Sequence, residues 1–343
     1  MRRSSLWVLP VAALVTVAVT ACSSSGSSGS SGSASAGGAG GGSQISLKLA
    51  DDFPAADPLN TFLKNFADDV TTRTKGDVKV KLYDGNQLGS EGDIVRGVAN
   101  QTIDMSMVGV TGSAPLDAFF TPYAVKNQHQ LDLIIQQKLL QKYIDQFEKD
   151  QHAHLLGTLT VSPRQMTSKQ PINSVQDLQG LKLRVPKIDS EVKVFTAMGT
   201  QPTILAFTEV YTALQNGAAD AEENPVSTIL SAKFYEVQSY LDLTNHGIQP
   251  QWMFINSNVW SKLSQSQKDA VTQAFTAMQT DQRKAADEAF KKDVATLQSK
   301  GMKVVNPPYE EFRAKVYDSA VLPILTKLWG ADIVGKIQNL PTS

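Results

Sequence analysis

The segment that most constrains the fold is residues 264–300, a long run that contains neither glycine nor proline. It opens with a Ser-x-x-Gln capping box, formed by Ser264 and Gln267, and Gly301 follows it, so the pattern predicts one unbroken helix. At the standard rise, this helix is roughly 55 Å long. Its apolar side is large near both ends and mostly alanine between them. We therefore predict a helix that packs on one lobe, crosses a narrow region and packs on a second lobe; a coiled-coil dimer is the alternative.

Strand and helix patterns alternate twice along the chain, once before Arg164 and once after it. This order predicts the α/β class, with largely parallel sheets flanked by helices in two lobes and a ligand cleft between them. Ligands of such sheets bind at the carboxyl ends of the strands. The first unit is predicted to contain strand 45–49, helix 59–74, strand 78–83, a helix opened by Ser90 and strand 103–110. The second is predicted to contain strand 181–185, a helix through Val192, Phe195 and Met198, strand 203–206, a helix capped by Thr208 and ended by Gly217, and strand 220–223.

The N-terminus indicates export. Arg2 and Arg3 precede an apolar run, residues 6–19, that has signal-peptide length and is short for a membrane span. The run ends in small residues before Cys22, an arrangement that resembles the bacterial lipobox. Residues 1–21 are therefore a predicted signal peptide, and residues 22–43 a predicted lipidated cysteine with a Ser/Gly tether that reaches roughly 25 Å. We expect the body to be lipid-anchored at the outer face of the cytoplasmic membrane, exported by the general route, with a twin-arginine signal as the alternative.

Charge and cysteine usage exclude some classes of function. Without Arg2 and Arg3, the 32 basic residues become 30 against 33 acidic residues, a net charge of −3. This balance argues against nucleic acid as a partner. With one cysteine in the chain, no internal disulfide can form. The body of about 300 residues suits two domains of moderate size.

Two arginines near strand ends suggest an anion site. Arg184 lies in an alternating run that Pro186 ends, and Arg164 follows Pro163 at the end of another apolar run. The planar guanidinium binds a carboxylate through two parallel hydrogen bonds, which makes arginine suitable for this task. On these residues alone, a surface charge or a structural salt bridge is an equally good interpretation.

Six short segments of the body together resemble the substrate-binding subunits of TRAP (tripartite ATP-independent periplasmic) transporters, the DctP-like family. The likeness extends over about residues 45–335, and it implies a two-lobed periplasmic-binding-protein-like fold whose lobes are joined by crossing strands and one long helix. The segments are QLGSE (87–91), TIDM (102–105), DLQGLKLRVP (177–186), FTEVYTAL (207–214), ENP (223–225) and YEV (235–237).

The resemblance also implies roles for individual residues. Arg184 would pair with the substrate carboxylate, Arg164 would line the same pocket, and Asn224 would donate a hydrogen bond to that carboxylate. Phe207 would form an aromatic wall beneath the ligand, and Glu91 would bind hydroxyl groups. Ala221 and Glu222 depart from the family's usual Gly and Gln before the ENP segment, which should leave Asn224 in position.

The substrate prediction depends on the first loop, residues 50–60. Relatives often carry histidine there, whereas this chain has aspartates and an asparagine, of which Asp52 and Asn60 are the predicted ligand contacts. Such side chains favour hydroxyls or an amine and repel a second carboxylate. We therefore expect a hydroxylated monocarboxylate, such as a sugar acid, rather than a C4-dicarboxylate. Trp252 is a further predicted contact, in a segment that can line the cleft.

The resemblance implies a monomeric binding protein that delivers its ligand to small and large TRAP membrane subunits, with uptake driven by an ion gradient. A binding protein for an ABC importer or a sensor kinase is the alternative, which the neighbouring genes would decide. An enzyme is disfavoured, because the sequence shows neither a Gly-x-Ser-x-Gly elbow nor a phosphate-binding glycine loop, and His152 and His154 lack further metal ligands. No cofactor is predicted. Lobe I is predicted to comprise residues 44–161 and 250–289, and lobe II residues 162–249 and 290–343.

Overall fold

The computed structural model describes residues 44–342. The predicted signal peptide, the lipidation of Cys22 and the Ser/Gly tether fall outside the described residues. Among residues 44–342, no helix has the length and apolar character needed to cross a membrane.

The strands of this region form two sheets. The strands are β1 (Ile45–Ala50), β2 (Val78–Tyr83), β3 (Met105–Val108), β4 (Ala153–Thr160), β5 (Arg164–Ser168), β6 (Lys182–Val185), β7 (Gln201–Ile204), β8 (Ala221–Pro225), β9 (Tyr240–Gly247), β10 (Pro250–Asn256) and β11 (Lys303–Val305). The first sheet has the order β2-β1-β3-β10-β4, and the second has the order β11-β9-β5-β8-β6-β7.

Both sheets are mixed rather than largely parallel. The pairs β1–β2, β1–β3, β6–β7 and β6–β8 are parallel, as the alternation predicts, and the pair β9–β11 is parallel too. In contrast, β10 runs antiparallel to β3 and β4, and β5 runs antiparallel to β8 and β9. The sequence did not predict these antiparallel pairs, because the chain crosses between the sheets at β4–β5 and at β9–β10. A strand that arrives directly from the other sheet has no crossover helix to return it in the parallel direction.

Helices cover the faces of both sheets, and a π-helical turn at Tyr317–Val321 joins two of them. The two-lobed α/β fold predicted from the sequence is confirmed. The helices are α1 (Pro58–Arg73), α2 (Glu91–Ala99), α3 (Ala114–Asp117), α4 (Gln128–Gln136), α5 (Gln141–Asp150), α6 (Asp189–Met198), α7 (Val210–Asn216), α8 (Val226–Ser231), α9 (Ser257–Lys262), α10 (Gln265–Ser299), α11 (Tyr309–Val316), α12 (Leu322–Trp329) and α13 (Ala331–Gln338).

The long helix α10 joins the two lobes as predicted. Ser264 caps it by accepting the backbone N–H of Gln267, and the Gln267 side chain accepts the N–H of Ser264, so the capping box is confirmed. Near its start, Phe275 packs in the core between α1 and the first sheet. Near its end, Leu297 packs in the core of the second sheet with α7 and α8.

Gly157 allows α10 to lie against β4. The strand is irregular there, because its register with β10 shifts between Met253 and Phe254. A side-chain carbon at position 157 would collide with the ring of Phe275. Glycine is therefore required by a close approach between a strand and the spanning helix.

The C-terminal helices contact elements beside both sheets. Trp329 donates its indole N–H to the carbonyl of Pro115 at 2.7 Å, and Gln130 donates to the carbonyl of Ile337 at 3.0 Å. The residues Pro115 and Gln130 belong to the lobe of the first sheet, whereas α11 packs against α6 and β9, which belong to the lobe of the second sheet. The assignment of residues 290–343 to lobe II stays a prediction, and these contacts favour placing the residues after 321 between the lobes.

One predicted cap is wrong. Thr208 lies inside a short 3₁₀ turn, Phe207–Glu209, and α7 begins only at Val210. Gly217 ends α7 in the left-handed conformation, as predicted, with φ of 78°.

Candidate functional site

A cavity of about 60 Å³ lies between the two sheets, and a groove of about 560 Å³ adjoins it. The cavity is formed where β1, β3, β6 and β8 end, which is the edge at which α/β sheets bind ligands. Six of the eight predicted ligand contacts line it: Asp52, Glu91, Arg164, Arg184, Phe207 and Asn224.

Arg184 is a buried cation without a carboxylate partner in the described region. It lies in β6, its residue is 3% exposed, and the salt bridges of residues 44–342 do not include it. Its Nε and Nη2 atoms donate to the carbonyl of Leu205 at 3.1 and 2.8 Å. Burial lowers the pKa of Arg184 below its usual range, against the opposing effect of Glu223. The guanidinium remains charged at neutral pH, so an anion in the cavity would supply the direct ion pair that Arg184 lacks.

Arg164, in contrast, is already paired. It begins β5, and its Nε and Nη2 atoms donate to the two carboxylate oxygens of Glu223, the second at 2.6 Å. The guanidinium also stacks over Phe120, 5.2 Å from the ring centroid. Burial acts to raise the pKa of Glu223, but Arg164 and His246 outweigh it and hold that pKa at about 2. Arg164 therefore lines the cavity with its charge largely neutralised by the protein.

Asn224 is held in place by its neighbours in β8. Its Oδ1 accepts from Arg164 at 3.2 Å, and its Nδ2 donates to Glu222 at 2.6 Å. Glu222 also accepts from the hydroxyl of Thr167 at 2.6 Å, and burial raises its pKa to about 7. The side chain at 222 thus fixes the amide of Asn224.

Two acids form the opposite wall. Glu91, the first residue of α2, accepts the backbone N–H groups of Gly109 and Val110 at 2.8 and 3.0 Å. Burial raises the pKa of Asp52 well above its usual range, and the nearby Glu91 adds to this shift. Burial also raises the pKa of Glu91. Both forms of these groups bind hydroxyls, and the ionised form also binds an ammonium and repels a second carboxylate.

Two predicted contacts, Trp252 and Asn60, do not line this cavity. Trp252 is fully buried in the core between Phe119 and Phe254, because alternate residues of β10 face opposite sides of the sheet. Asn60 lies in the first turn of α1, where its amide donates to the carbonyl of Pro54 at 2.9 Å. Asn60 therefore shapes the first loop without lining the cavity.

The sequence interpretation missed two glutamines that line the cavity. Gln249 precedes β10 and Gln251 lies within it, and they are 0% and 4% exposed. Both amide atoms of Gln249 and the Oε1 atom of Gln251 have no hydrogen-bond partner in the described part of the chain. Buried polar groups normally have partners, so these amides are available to ligand hydroxyls. Alternation along β10 could have identified Gln251, but only once its cleft-facing side was known.

Metal ligation finds no support in residues 44–342, which contain no group of three or more His, Cys, Asp or Glu that could hold an ion. His154, one of the two histidines considered above, stacks on Trp260 with 4.8 Å between ring centroids.

Sequence comparison places this site in a known family. The profile of Bacterial extracellular solute-binding protein, family 7 (DctP), matches residues 49–326. A solute-binding protein of Roseobacter denitrificans is 34% identical over 75% of this chain and 80% of its own length. The sialic acid-binding periplasmic protein SiaP of Vibrio cholerae is 31% identical over 77% of this chain and 86% of its own length.

Structure comparison agrees with the sequence. The crystal structure of a TRAP periplasmic solute-binding protein from Roseobacter denitrificans, with bound L-galactonate, is 32% identical and matches with a TM-score of 0.80 over 86% of this chain and 99% of that chain. A sugar acid binding protein from Advenella mimigardefordensis, in complex with galactonate, is 26% identical with a TM-score of 0.80 over 86% and 96% of the two chains. The chain therefore belongs to family 7 of the bacterial extracellular solute-binding proteins, the DctP family of TRAP solute receptors.

Proposed function

We propose that this protein captures a hydroxylated monocarboxylate, such as a sugar acid, and delivers it to TRAP membrane subunits. The observation that carries the proposal is the contrast between the two arginines. Arg164 is neutralised by Glu223, whereas Arg184 has no carboxylate partner among the residues described. One unpaired buried cation suits one carboxylate.

The remaining walls favour hydroxyls over a second acid. Gln249 and Gln251 offer unpartnered amide atoms, and Asp52 and Glu91 offer carboxyl groups. A dicarboxylate would bring its second charge towards these acids, and an ionised Asp52 or Glu91 would repel it. The relatives support this preference, because those compared above bind L-galactonate, galactonate and sialic acid by their descriptions.

The proposal can be tested by isothermal titration against L-galactonate, sialic acid and succinate. We expect binding of at least one of the two sugar acids and at least about 30-fold weaker binding of succinate, the factor that corresponds to about 2 kcal/mol. Tight binding of succinate together with no binding of either sugar acid would contradict the monocarboxylate assignment.

Membrane attachment and partners extend the proposal. In this proposal the chain is a monomeric binding protein rather than an enzyme. A lipid on Cys22 anchors it to the membrane, where it contacts the small and large TRAP subunits. The family match supports an extracellular location. The anchor is tested by fractionation of cells that express the full chain and its Cys22→Ala variant. An unchanged membrane fraction for the variant argues against the anchor.

A further inference from the structure

A polar contact joins the two lobes behind the cavity. Asp57, the N-cap of α1, accepts the backbone N–H of Leu59 with Oδ1 at 3.0 Å. Its other oxygen, Oδ2, accepts the hydroxyl of Ser231, the last residue of α8, at 3.1 Å. Asp57 is 2% exposed, and no salt bridge among residues 44–342 includes it. A buried carboxylate is therefore bound to the opposite lobe through a neutral hydroxyl.

The two ends of this contact belong to two walls of the cavity. Asp57 closes the first loop, in which Asp52, Phe53 and Pro54 line the cavity. The helix α8 follows directly after Asn224 and Pro225, and its residue Thr228 also lines the cavity. Ser231 makes a direct side-chain hydrogen bond between this loop and α8, and Thr228 of α8 also faces the Asp57 carboxylate.

The side chains around the Ser231–Asp57 hydrogen bond are loosely packed, so this bond has a large part in fixing the distance between the two walls. A cavity of about 50 Å³ lies beside Asp57, between α1, α8 and the alanine-rich middle of α10. Ser162 and Asp293 also line this space, and the hydroxyl of Ser162 has no partner in the described region. Because the apolar packing has a gap here, a directional bond contributes more to fixing the spacing of the walls than it would in a filled core.

We propose that Asp57 is a positioning residue for ligand capture, whose carboxylate couples the first loop to α8 and so holds two walls of the cleft at one spacing. The importance of this spacing for affinity rests on the proposed function, whereas the coupling itself can be measured without a ligand.

The charges around Asp57 give the coupling a pH dependence. The charged groups that face it are Asp293 from α10 and Asp51 from the first loop, both acids. Burial raises the pKa of Asp57 to about 6, although hydrogen bonds from Leu59, Ser231 and Thr228 act to lower it. An ionised acceptor makes the stronger hydrogen bond. The coupling is therefore strongest above pH 6 and weakens as the carboxylate takes up a proton.

Hydrogen exchange measured by mass spectrometry on the exported protein, without ligand, tests the coupling. Asp57→Ser keeps an acceptor for the Leu59 N–H but lacks the second oxygen, and Ser231→Ala removes the donor. At pH 7.5 we expect either variant to speed amide exchange by about tenfold in both 51–57 and 224–231, the factor for one lost hydrogen bond to a charged group. After correction for intrinsic exchange, the difference from wild type should shrink at pH 5.

Matched variants separate coupling from local damage. Ser231→Thr keeps the hydroxyl and should exchange like the wild type, and Asp293→Asn should leave both segments unchanged at pH 7.5, where Asp57 is already ionised. Faster exchange confined to the mutated segment, or a Ser231→Thr variant that behaves like Ser231→Ala, would overturn the proposal.

A parallel titration with L-galactonate keeps the two proposals distinct. Failure of the wild type to bind contradicts that ligand, while the exchange data still decide the coupling. If the wild type binds, Ser231→Ala should weaken the affinity by about five- to tenfold.

Discussion

Burial destabilises the charged form of Arg184, and the hydrogen bonds of its guanidinium offset only part of this effect. Burial lowers its pKa and makes its charge unfavourable, while the carbonyl of Leu205 satisfies only Nε and Nη2. A ligand carboxylate supplies the missing partner, and it does so where little water competes. The affinity of the site should therefore depend strongly on the planar shape of this guanidinium.

We predict that Arg184→Lys weakens binding of the cognate acid by roughly 30-fold or more, because an ammonium cannot donate two parallel hydrogen bonds. Isothermal titration measures the change, and Arg96→Lys, an exposed arginine on α2, is the control. An unchanged affinity with a folded Arg184→Lys protein would exclude Arg184 as the anchor.

Only some residues of the cavity could be predicted from the sequence. Arg184 and Asn224 could be predicted because family segments mark the strand ends that carry them. Trp252 and Gln251 could not be assigned correctly, because β10 enters its sheet from the other lobe. Neighbouring residues of a strand face opposite sides of the sheet. Which of Trp252 and Gln251 faces the cleft depends on how β10 crosses from one sheet to the other, and no local sequence pattern indicates that crossing.

At the scale of elements, the contact between α10 and β4 is set by one missing side chain. Gly157 faces the ring of Phe275 at the bulge of β4, and no room exists for a methyl group. Either the helix or the strand must move if one is added. Since α10 also packs on the second lobe, its movement is not free.

We predict that Gly157→Ala lowers the free energy of unfolding by about 1–3 kcal/mol through overpacking. Chemical denaturation measures the change. Gly335→Ala is the matched control, because nothing lies within 4 Å of a side-chain carbon there, and we expect it to be neutral or slightly stabilising. Equal effects of the two substitutions would show that the contact with Phe275 is unimportant.

The elements that could be predicted are those with a strong local signal. The capping box and the absence of glycine and proline identified α10, and alternation identified β1, β2 and β6. The strands β4, β5, β9 and β10 were not predicted, because their partners are distant in sequence. Their pairing decides that the sheets are mixed, and pairing between distant segments leaves little trace in a single sequence.

For the whole molecule, buried acids set the pH dependence of stability. Burial raises the pKa of Asp51, Asp117 and Glu222 to about 7, and that of Asp57 and Asp242 to about 6. The unfolded chain releases these protons near its ordinary values of 3.8 and 4.5, whereas the folded protein holds them to pH 6 or 7, so stability falls as the pH rises from about 4 to about 7. The pKa values of Glu223, at about 2, and of His246 are lowered, and these two groups destabilise the fold as the pH falls through their unfolded values of 4.5 and 6.5.

We predict that the thermal unfolding temperature is highest at about pH 4 to 5 and falls by several degrees as the pH rises to about 7. Calorimetry or circular dichroism across this range tests it without a ligand. A temperature that rises steadily up to pH 8 would contradict the dominant role of these acids.

The spanning helix has a mechanical consequence. A rod that is fixed in both lobes can bend at its slender alanine-rich middle, but it resists stretching because its backbone hydrogen bonds run along its length. The crossings at β4–β5 and β9–β10 attach the lobes at two further places. The C-terminal helices contact both lobes as well. Together these links permit one lobe to rotate relative to the other and prevent their separation. The two lobes are therefore already aligned when a solute enters the cleft. Little orientational entropy of the lobes is then lost when they close over it.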